Sequence, residues 1–362
     1  MASQVAGIDP HQDTFTIGIV DHHGIEVVVD TFDNSGGGYV EAIELLNAHR
    51  VEQVGVEGSA KWGAHVSIAL VAAGFDVREV PPTRTSAQRR SRRLDKTDAV
   101  DAICAARALL AEPTLGPAQT LEVYDAAVAE IEAVLQHRHA LVASRTLMLQ
   151  HVGDQITRLP TVVRDQLTPT GKIESRLRRL ENLDTSELDL TASGQYRLSW
   201  LQEFIERDRE ARREIRALER KIDRLLDAHG TTLRDEDGIG PIAAATLLCE
   251  VGDPNRFATE SKFARWCGTG AVALSSGEGA GRPVRHRLDF RGNRTVNSMI
   301  YIASITQARD QPEAKAYLQR KTTEGKTKRE ARRAHKRHLS NRIIRRMWRD
   351  ERARNQPLQH VA

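Results

Sequence analysis

The sequence predicts an α/β domain followed by mostly helical segments. Three β-rich stretches come first, and helical and strand patterns then alternate up to residue 80. Two of the strand patterns end on an acid, and a predicted helix with two acids three residues apart follows them. This is the order of an RNase-H-like (RuvC-like) fold, in which the first strand, the fourth strand and a late helix bring acids together.

Each element of this domain has its own local signal. Turn-forming residues separate the first strands, and a run of three glycines precedes the first helix. Alanine, isoleucine and leucine form one stripe on the last helix. The predicted elements are strands Val5–Asp9, Thr14–Val20 and Glu26–Phe32, helix Tyr39–His49, strand Val54–Glu57, helix Ala64–Ala73, strand Asp76–Val80 and a helix from about Asp95 to Leu110.

Two heptad-like apolar series follow a Pro/Gly-rich boundary at residues 112–117. They favour a long antiparallel pair or an intermolecular coiled coil, and a helical hairpin without a partner is the alternative. Arg138, Arg145 and Asp208 interrupt the seam, which indicates a broken or partner-specific contact. The predicted domains are 1–115 (RNase-H-like), 116–230 (coiled-coil dimerisation region), 231–330 (helix-hairpin-helix and serine-bearing domain) and 331–362 (basic helical tail).

Charge and composition narrow the class of protein. The chain of 362 residues has a net charge of +4, yet residues 315–354 hold 16 Lys and Arg against four Asp and Glu. Such a basic segment is typical of a polyanion-binding protein. Three scattered cysteines argue against disulfides and a zinc site. No apolar run is long enough for a membrane span and no signal-peptide pattern is present, so we predict a cytoplasmic protein.

Four carboxylates form a candidate metal site: Asp9, Glu57, Asp98 and Asp101. The first two end apolar strands, where an unpaired acid is costly, and the other two share one helix face. Oxygen ligands of this kind suit Mg²⁺, and paired metal ions are common in phosphodiester chemistry. Each acid taken alone is also explained as a helix cap, a turn residue or an ion-pair partner.

Basic residues beside the helical acids predict contact with a nucleic-acid backbone. The run comprises Arg84, Arg89, Arg90, Arg92, Arg93 and Lys96, and a solvated basic loop is the alternative. In the basic tail, the candidate contacts are Arg332, Arg333, Lys336 and Arg337.

The segment 237–243 resembles a helix-hairpin-helix motif. Gly238 and Gly240 permit a tight turn whose backbone N–H groups can hold a phosphate, although a simple helix-start turn has the same pattern. Farther on, Ser275 and Ser276 lie in a Gly-rich stretch that, by pattern alone, indicates an ordinary loop. Arg282 and four later arginines could supply the electrostatics that a loop serine needs for attack on a phosphate.

Taken together, five motifs occur in the order found in one family. The chain resembles the DEDD-type insertion-sequence transposases, also called bridge recombinases, over nearly its whole length. Many relatives carry a small residue and a lysine after the first acid, whereas Pro10, His11 and Gln12 follow it here. The motifs are residues 7–11, 56–59, 96–102, 238–241 and 276–277.

The resemblance implies specific roles. Asp9, Glu57, Asp98 and Asp101 match the tetrad that binds Mg²⁺, and Ser276 matches the serine that forms a covalent link to DNA, with Ser275 as the adjacent alternative. The family pairs the acids of one subunit with the serine of another, which implies a homodimer, or a tetramer on DNA. A structured noncoding RNA pairs with double-stranded donor and target DNA in these recombinases.

The leading hypothesis is therefore a transposase that cuts and rejoins DNA through a Ser276 ester with the help of Mg²⁺. A Mg²⁺-dependent RNase-H-like nuclease or junction resolvase, in which metal-activated water attacks, is the alternative. A nonenzymatic nucleic-acid-binding scaffold is a third. A trapped covalent protein–DNA species separates the first hypothesis from the second, and binding without strand breakage favours the third.

Overall fold

The computed structural model describes residues 4–59, 62–113, 115–118, 125–167, 172–185, 188–274, 285–288 and 292–355. The chain divides into two compact units. The first comprises residues 1–129, 230–240 and 246–362, and the second comprises residues 130–229 and 241–245. Within the described ranges, no helix is both long and apolar enough to cross a membrane.

A mixed five-stranded sheet organises the N-terminal part of the first unit. Its strands are β1 (Gln4–Pro10), β2 (Thr14–Val20), β3 (Glu26–Asp33), β4 (Val51–Glu57) and β5 (Asp76–Val80). The strand order is β3-β2-β1-β4-β5. The first three strands pair antiparallel, whereas β1–β4 and β4–β5 are parallel pairs. The apolar run in β1 is buried because this strand lies in the middle of the sheet.

Helices cover both faces of this sheet. On one face, α1 (Gly36–Ala48) and α2 (Ala64–Ala72) pack with Ala6 and Ile8 of β1. On the other face, α4 (Asp98–Ala111) packs with Val5. Since side chains alternate along a strand, Asp9 lies on the same face as Val5, beneath α4.

Gly7 lets α4 approach β1 closely. A Cβ atom at Gly7 would lie 2.2 Å from both the carbonyl oxygen of Ala102 and the amide nitrogen of Ala106. The contacts are with backbone atoms, so a side chain at residue 7 would push the helix away. The small residues of β1 and α4 therefore set the height of α4 above the strand.

The predicted strands are all present, and the helices differ from the prediction at two places. No element was predicted between residues 80 and 95, and residues 82–91 form helix α3 (Pro82–Ser91). The next helix begins at Asp98, not at Asp95, because Thr97 caps it by accepting a hydrogen bond from the Val100 N–H (3.2 Å).

The described part of the second unit is helical. It contains most of α5 (Ala126–Thr157), whose first residues belong to the first unit, with α6 (Thr161–Arg164), α7 (Ile173–Glu181) and α8 (Ala192–His229). Ion pairs join α5 to α8 in antiparallel order, from Arg138–Glu219 (2.7 Å) to Arg145–Asp208 (2.7 Å). The charged seam residues thus have partners within the same chain. This arrangement is the antiparallel pair that the heptad pattern allowed.

Replacing Arg145 by Leu should destabilise the second unit. Asp208 is buried and would keep Arg212 as its cation (2.6 Å), so we expect a loss of about 1–3 kcal/mol in the free energy of unfolding. Chemical denaturation followed by circular dichroism measures it. Arg207→Ala, which removes an exposed i,i+4 pair with Glu203, is the matched control and should cost about 0.5 kcal/mol or less.

The double variant Arg145→Leu/Asp208→Leu should recover much of this loss, because the buried carboxylate that loses one of its two cations in the single variant is then removed as well. A loss in the double variant equal to the sum of the two single losses would show that the two side chains do not interact.

The C-terminal part of the chain is mostly helical. Its elements are α9 (Pro241–Val251), α10 (Glu260–Trp266), the antiparallel strands β6 (Ala271–Leu274) and β7 (Arg285–Leu288), α11 (Arg294–Asp310), α12 (Pro312–Thr323) and α13 (Lys328–Asn355). The predicted basic tail corresponds to α13, which buries Leu339, Ile343, Ile344 and Met347. This helix is an integral part of the apolar core.

Candidate functional site

Parallel pairing of β1 and β4 brings two strand-end acids side by side. Ile8 pairs with Val56, so Asp9 and Glu57 are the next residues along neighbouring strands. Asp9 keeps about 15% of its side chain exposed. The two acids lie side by side because each directly follows a buried apolar run, and both runs end at the same edge of the sheet.

The first turn of α4 contributes the other two acids. Asp98 is the first residue of the helix and is exposed, whereas Asp101, one turn later, is buried. The positive end of the helix dipole favours both carboxylates. Because α4 lies close to β1 at Gly7, its first turn extends over the end of β1.

His11 lies between the two groups of acids. Its Nε2 atom is 3.2 Å from Asp98 Oδ1 and 3.5 Å from Asp9 Oδ2. Ligand atoms of Asp9, His11 and Asp98 all lie within 4.8 Å of one another. His11 Nε2 is buried and makes no hydrogen bond of good geometry among the described residues. His11 was not among the predicted ligands, although it lies only two residues after Asp9.

Asn34 braces the turn that carries His11. Its Nδ2 donates hydrogen bonds to the carbonyl oxygens of His11 (2.9 Å) and Trp62 (3.1 Å). Its Oδ1 accepts a hydrogen bond from the Tyr39 hydroxyl (2.8 Å). One amide side chain thus ties the segment after β1 to the segment after β4 and to α1.

The electrostatics of this cluster favour a cation. The pKa of Asp9 is raised to about 6, mainly by burial, with His11 opposing and the carboxylates of Glu57, Asp101 and Asp98 adding to the rise. Burial also raises the pKa of Glu57; Thr85 opposes this, Asp101 adds to it, and Arg89 and Lys96 lower it. Mutual repulsion of carboxylates is relieved when a divalent cation binds among them.

Asp101 forms an ion pair and is not part of the group made by Asp9, His11 and Asp98. Its Oδ1 contacts Nη1 of Arg89, which projects from α3. Arg89 was predicted to bind nucleic acid, but in the structure it neutralises an acid of the tetrad. The structure therefore brings Asp9 and Asp98 together with His11, holds Glu57 on the neighbouring strand, and pairs Asp101 with Arg89.

The remaining predicted cations beside the acids are solvent-exposed. Arg90 lies in the last turn of α3, and the loop between α3 and α4 carries Arg92, Arg93 and Lys96. Arg93 adopts a left-handed backbone conformation with φ of 55°. These side chains flank the exposed Asp98 carboxylate along the chain.

The structure gives a reason for glycine at residue 238 that the motif did not show. Its φ is +83°, and a Cβ there would lie 2.9 Å from the Cα of Ala303 in α11. Gly240 is the N-cap of α9, has open space around it, and is followed by Pro241 at the first helical position. A 3₁₀ turn, Leu233–Asp235, lies just before this segment.

The candidate contacts on α13 differ in exposure. Arg332, Arg333 and Arg337 are partly exposed, and Arg337 Nη2 donates to Ser261 Oγ (3.1 Å). Lys336 is buried, and its Nζ donates to Asn297 Oδ1 (2.6 Å). Burial lowers the pKa of Lys336. Lys336 therefore serves the packing of α13 against α11, unlike the exposed role expected for it.

Ser275, Ser276 and Arg282 lie outside the described residues. The strands on either side are described: β6 ends at Leu274, β7 begins at Arg285, and the two pair antiparallel with Leu274 opposite Arg285. In the sequence, both serines come between these two strands.

The donor set of the acid cluster fits a hard divalent cation. Convergent carboxylate oxygens are the ligands that Mg²⁺ and Mn²⁺ prefer, and an imidazole is compatible with Mn²⁺. The pKa of Asp9 is raised by burial and by the neighbouring carboxylates, and a cation bound among these acids would relieve that repulsion.

Two stretches of the chain match models of known protein families. A family model of DEDD transposases of the IS110 type, described as a transposase, matches residues 6–159. A second model, the transposase IS116/IS110/IS902 family, matches residues 230–319. The chain is also 32% identical over 114 residues to the insertion element IS110 uncharacterized 43.6 kDa protein of Streptomyces coelicolor. That alignment covers 31% of this chain and 27% of the relative, so the chain matches about a quarter of the relative's length.

Proposed function

Since the chain belongs to the IS110 family of transposases, we propose that it cuts and rejoins DNA during the movement of an insertion sequence. The observation that supports this most is the convergence of Asp9, His11 and Asp98 at the end of a central strand. The first family match includes all four predicted acids, and the second includes Ser275 and Ser276. We also propose that the five-stranded unit is RNase-H-like (RuvC-like), which its strand order and the position of α4 support.

In this proposal, Asp9, Glu57, Asp98 and Asp101 hold Mg²⁺. When bound, the metal supplies positive charge that stabilises the attacking and leaving oxygens of a phosphodiester. Arg89 orients the Asp101 carboxylate, and Asn34 fixes the turn with His11. The exposed cations of the α3–α4 loop attract the DNA backbone.

Ser276 is the proposed nucleophile, with Ser275 as the adjacent alternative. Its hydroxyl oxygen forms a bond to the scissile phosphorus and gives up its proton, while the bond from phosphorus to a deoxyribose oxygen breaks and that oxygen takes up a proton. The resulting serine–phosphate ester keeps the energy of the broken bond. A second DNA hydroxyl can then attack the ester and release the serine, so that cutting and joining balance without an added energy source.

The proposed assembly is a homodimer or tetramer in which one subunit's acids meet another subunit's serine. Donor and target DNA are the proposed substrates, and a structured noncoding RNA is the proposed guide. The family resemblance supports these partners. The long helices of the second unit pair within one chain, so any contact between subunits uses their remaining surface.

The proposal can be tested with the purified protein, the RNA that copurifies with it and DNA that carries the ends of the element. With Mg²⁺, denaturing gels should show protein–DNA adducts and recombinant strands. Free 5′-phosphate or 3′-hydroxyl ends without any adduct would support the hydrolytic nuclease. Salt-sensitive binding without strand breakage would support the nonenzymatic scaffold.

Replacing Arg332 and Arg333 by Ala should weaken DNA or RNA binding and flatten its salt dependence. Each lost phosphate contact should reduce the slope of log K against log salt by about 0.9 for duplex DNA. Fluorescence anisotropy at several salt concentrations measures this slope. Arg309→Ala is the control, because Arg309 is exposed and paired with Asp310 (2.7 Å). An unchanged slope in the double variant would place the phosphate contacts elsewhere.

A further inference from the structure

A cavity of about 480 Å³ lies among α11, α12 and α13. Its volume is within the range of about 300–1,000 Å³ that small-molecule pockets have. Tyr317, His335, His338 and Asn341 are among the residues that line it, and none of the lining residues belongs to the acid cluster.

Aromatic rings form one wall of this cavity. The Tyr317 ring centroid lies 5.3 Å from that of His338, edge to face, and 5.9 Å from that of His335. His335 is held in place by Ser304, whose hydroxyl lies 2.8 Å from Nδ1. Fixed rings of this kind offer a surface on which a flat group can stack.

Two residues that line the cavity each have a buried polar atom without a partner among the described residues. The Tyr317 hydroxyl and the Asn341 Oδ1 are both buried and make no hydrogen bond. A buried polar atom without a partner costs free energy, which a ligand with matching donors and acceptors would recover. The hydroxyl can donate or accept, and the amide oxygen accepts.

The charges around the cavity disfavour an isolated phosphate as its ligand. Arg342 is engaged by Glu236 (2.7 Å) and by Gln307 (3.0 Å), and Arg345 is engaged by Glu260. Burial, followed by the charge of Arg342, lowers the pKa of both His335 and His338, so both rings are neutral at pH 7. Besides these two arginines and the carboxylate of Glu313, the lining offers rings and amides.

Cations lie at the exposed side of Tyr317. Arg320 Cζ is 5.4 Å and Lys321 Nζ is 5.8 Å from the Tyr317 ring centroid. Both approach Glu324, at 3.8 and 2.7 Å, so the three side chains together carry one net positive charge. That charge suits a phosphodiester attached to a group inside the cavity.

We propose that this cavity binds an unpaired nucleobase of a single-stranded nucleic-acid segment. A nucleobase is flat, carries donors and acceptors on its edge, and is attached to a phosphate. Stacking on aromatic side chains is the usual way in which proteins hold unpaired bases. The choice of a nucleic-acid ligand rests on the proposed function.

Two probes test this proposal on the full chain without metal. Saturation-transfer NMR with AMP, GMP, CMP and UMP should show transfer to base protons, and ribose 5-phosphate should show none. A single-stranded oligonucleotide with one 2-aminopurine should show fluorescence quenching on binding. Tyr317→Ala should weaken both signals by about tenfold, as expected for a lost stacking contact.

Matched variants keep the test decisive. Tyr196→Ala removes a tyrosine that is 73% exposed in α8 and should bind both probes as the unsubstituted chain does. Asn341→Leu fills the polar side of the cavity and should also lose base binding, and it decides the question if Tyr317→Ala fails to fold by circular dichroism.

Three results would overturn the proposal. They are equal binding of ribose 5-phosphate, unchanged binding by both cavity variants, and binding of mononucleotides without any binding of the oligonucleotide. No strand cleavage is measured here, so failure of base binding leaves the proposed transposase activity standing. Conversely, if the protein proves to have no transposase activity, the measured base binding is unaffected.

Discussion

Replacing Asp98 by Asn should reduce strand cleavage by about 10³-fold, the size of effect that follows loss of one electrostatic stabiliser at a reacting phosphate. The substitution keeps the shape of the side chain and removes one negative charge. That charge lies 3.2 Å from His11 Nε2 and contributes to the raised pKa of Asp9. A weaker acid cluster should bind metal less tightly, so calorimetric titration with Mn²⁺ should show a lower affinity in parallel with the lower rate.

Asp95→Asn is the matched control for this variant. Asp95 is exposed, lies three residues earlier in the loop before α4, and is not in the cluster. It should therefore retain activity and metal affinity. Full activity of Asp98→Asn, with the same metal affinity as the unsubstituted chain, would leave Asp98 only its favourable interaction with the dipole of α4, worth about 0.3–1 kcal/mol.

Replacing Ser276 by Ala should abolish the covalent protein–DNA species and strand exchange. Loss of a nucleophile commonly costs about 10⁴-fold or more, because alanine has no hydroxyl that could form the ester. DNA binding should change little, since one neutral hydroxyl contributes little to a salt-dependent interaction. Adduct formation on denaturing gels and anisotropy binding measure the two properties separately.

Ser275→Ala is the companion variant, because the two hydroxyls are adjacent. If Ser276→Ala forms adducts normally and Ser275→Ala does not, the nucleophile is Ser275. If both single variants and the double variant still cleave DNA in a metal-dependent reaction, water is the nucleophile and the hydrolytic alternative holds.

The sequence predicted the elements that position the acids better than the contacts among them. Asp9 and Glu57 were predictable because each ends an apolar run, and parallel pairing brings such ends together. His11 was missed because its approach to Asp98 depends on where α4 begins. The Arg89–Asp101 pair was also missed, since it depends on α3, a helix whose arginine-rich sequence has no apolar stripe.

Charge patterns were a poorer guide than apolar spacing in the C-terminal part. The high density of Lys and Arg suggested an exposed tail, yet Leu339, Ile343 and Met347 recur every four residues and indicate a buried face. Lys336 lies beside that stripe and is buried with Asn297 as its partner. A charge count cannot distinguish a cation with an internal partner from one that is free for phosphate.

The absence of a side chain at Gly7 also has an effect at a distance. The backbone of α4 at Ala102 rests on this glycine, and Asp98 lies four residues, or about 6 Å of helix, nearer the start of α4. A methyl group at position 7 would push α4 away from β1 and shift the first turn of the helix, which carries Asp98. Metal affinity would fall although every ligand remained, so inactivating substitutions need not alter any acid.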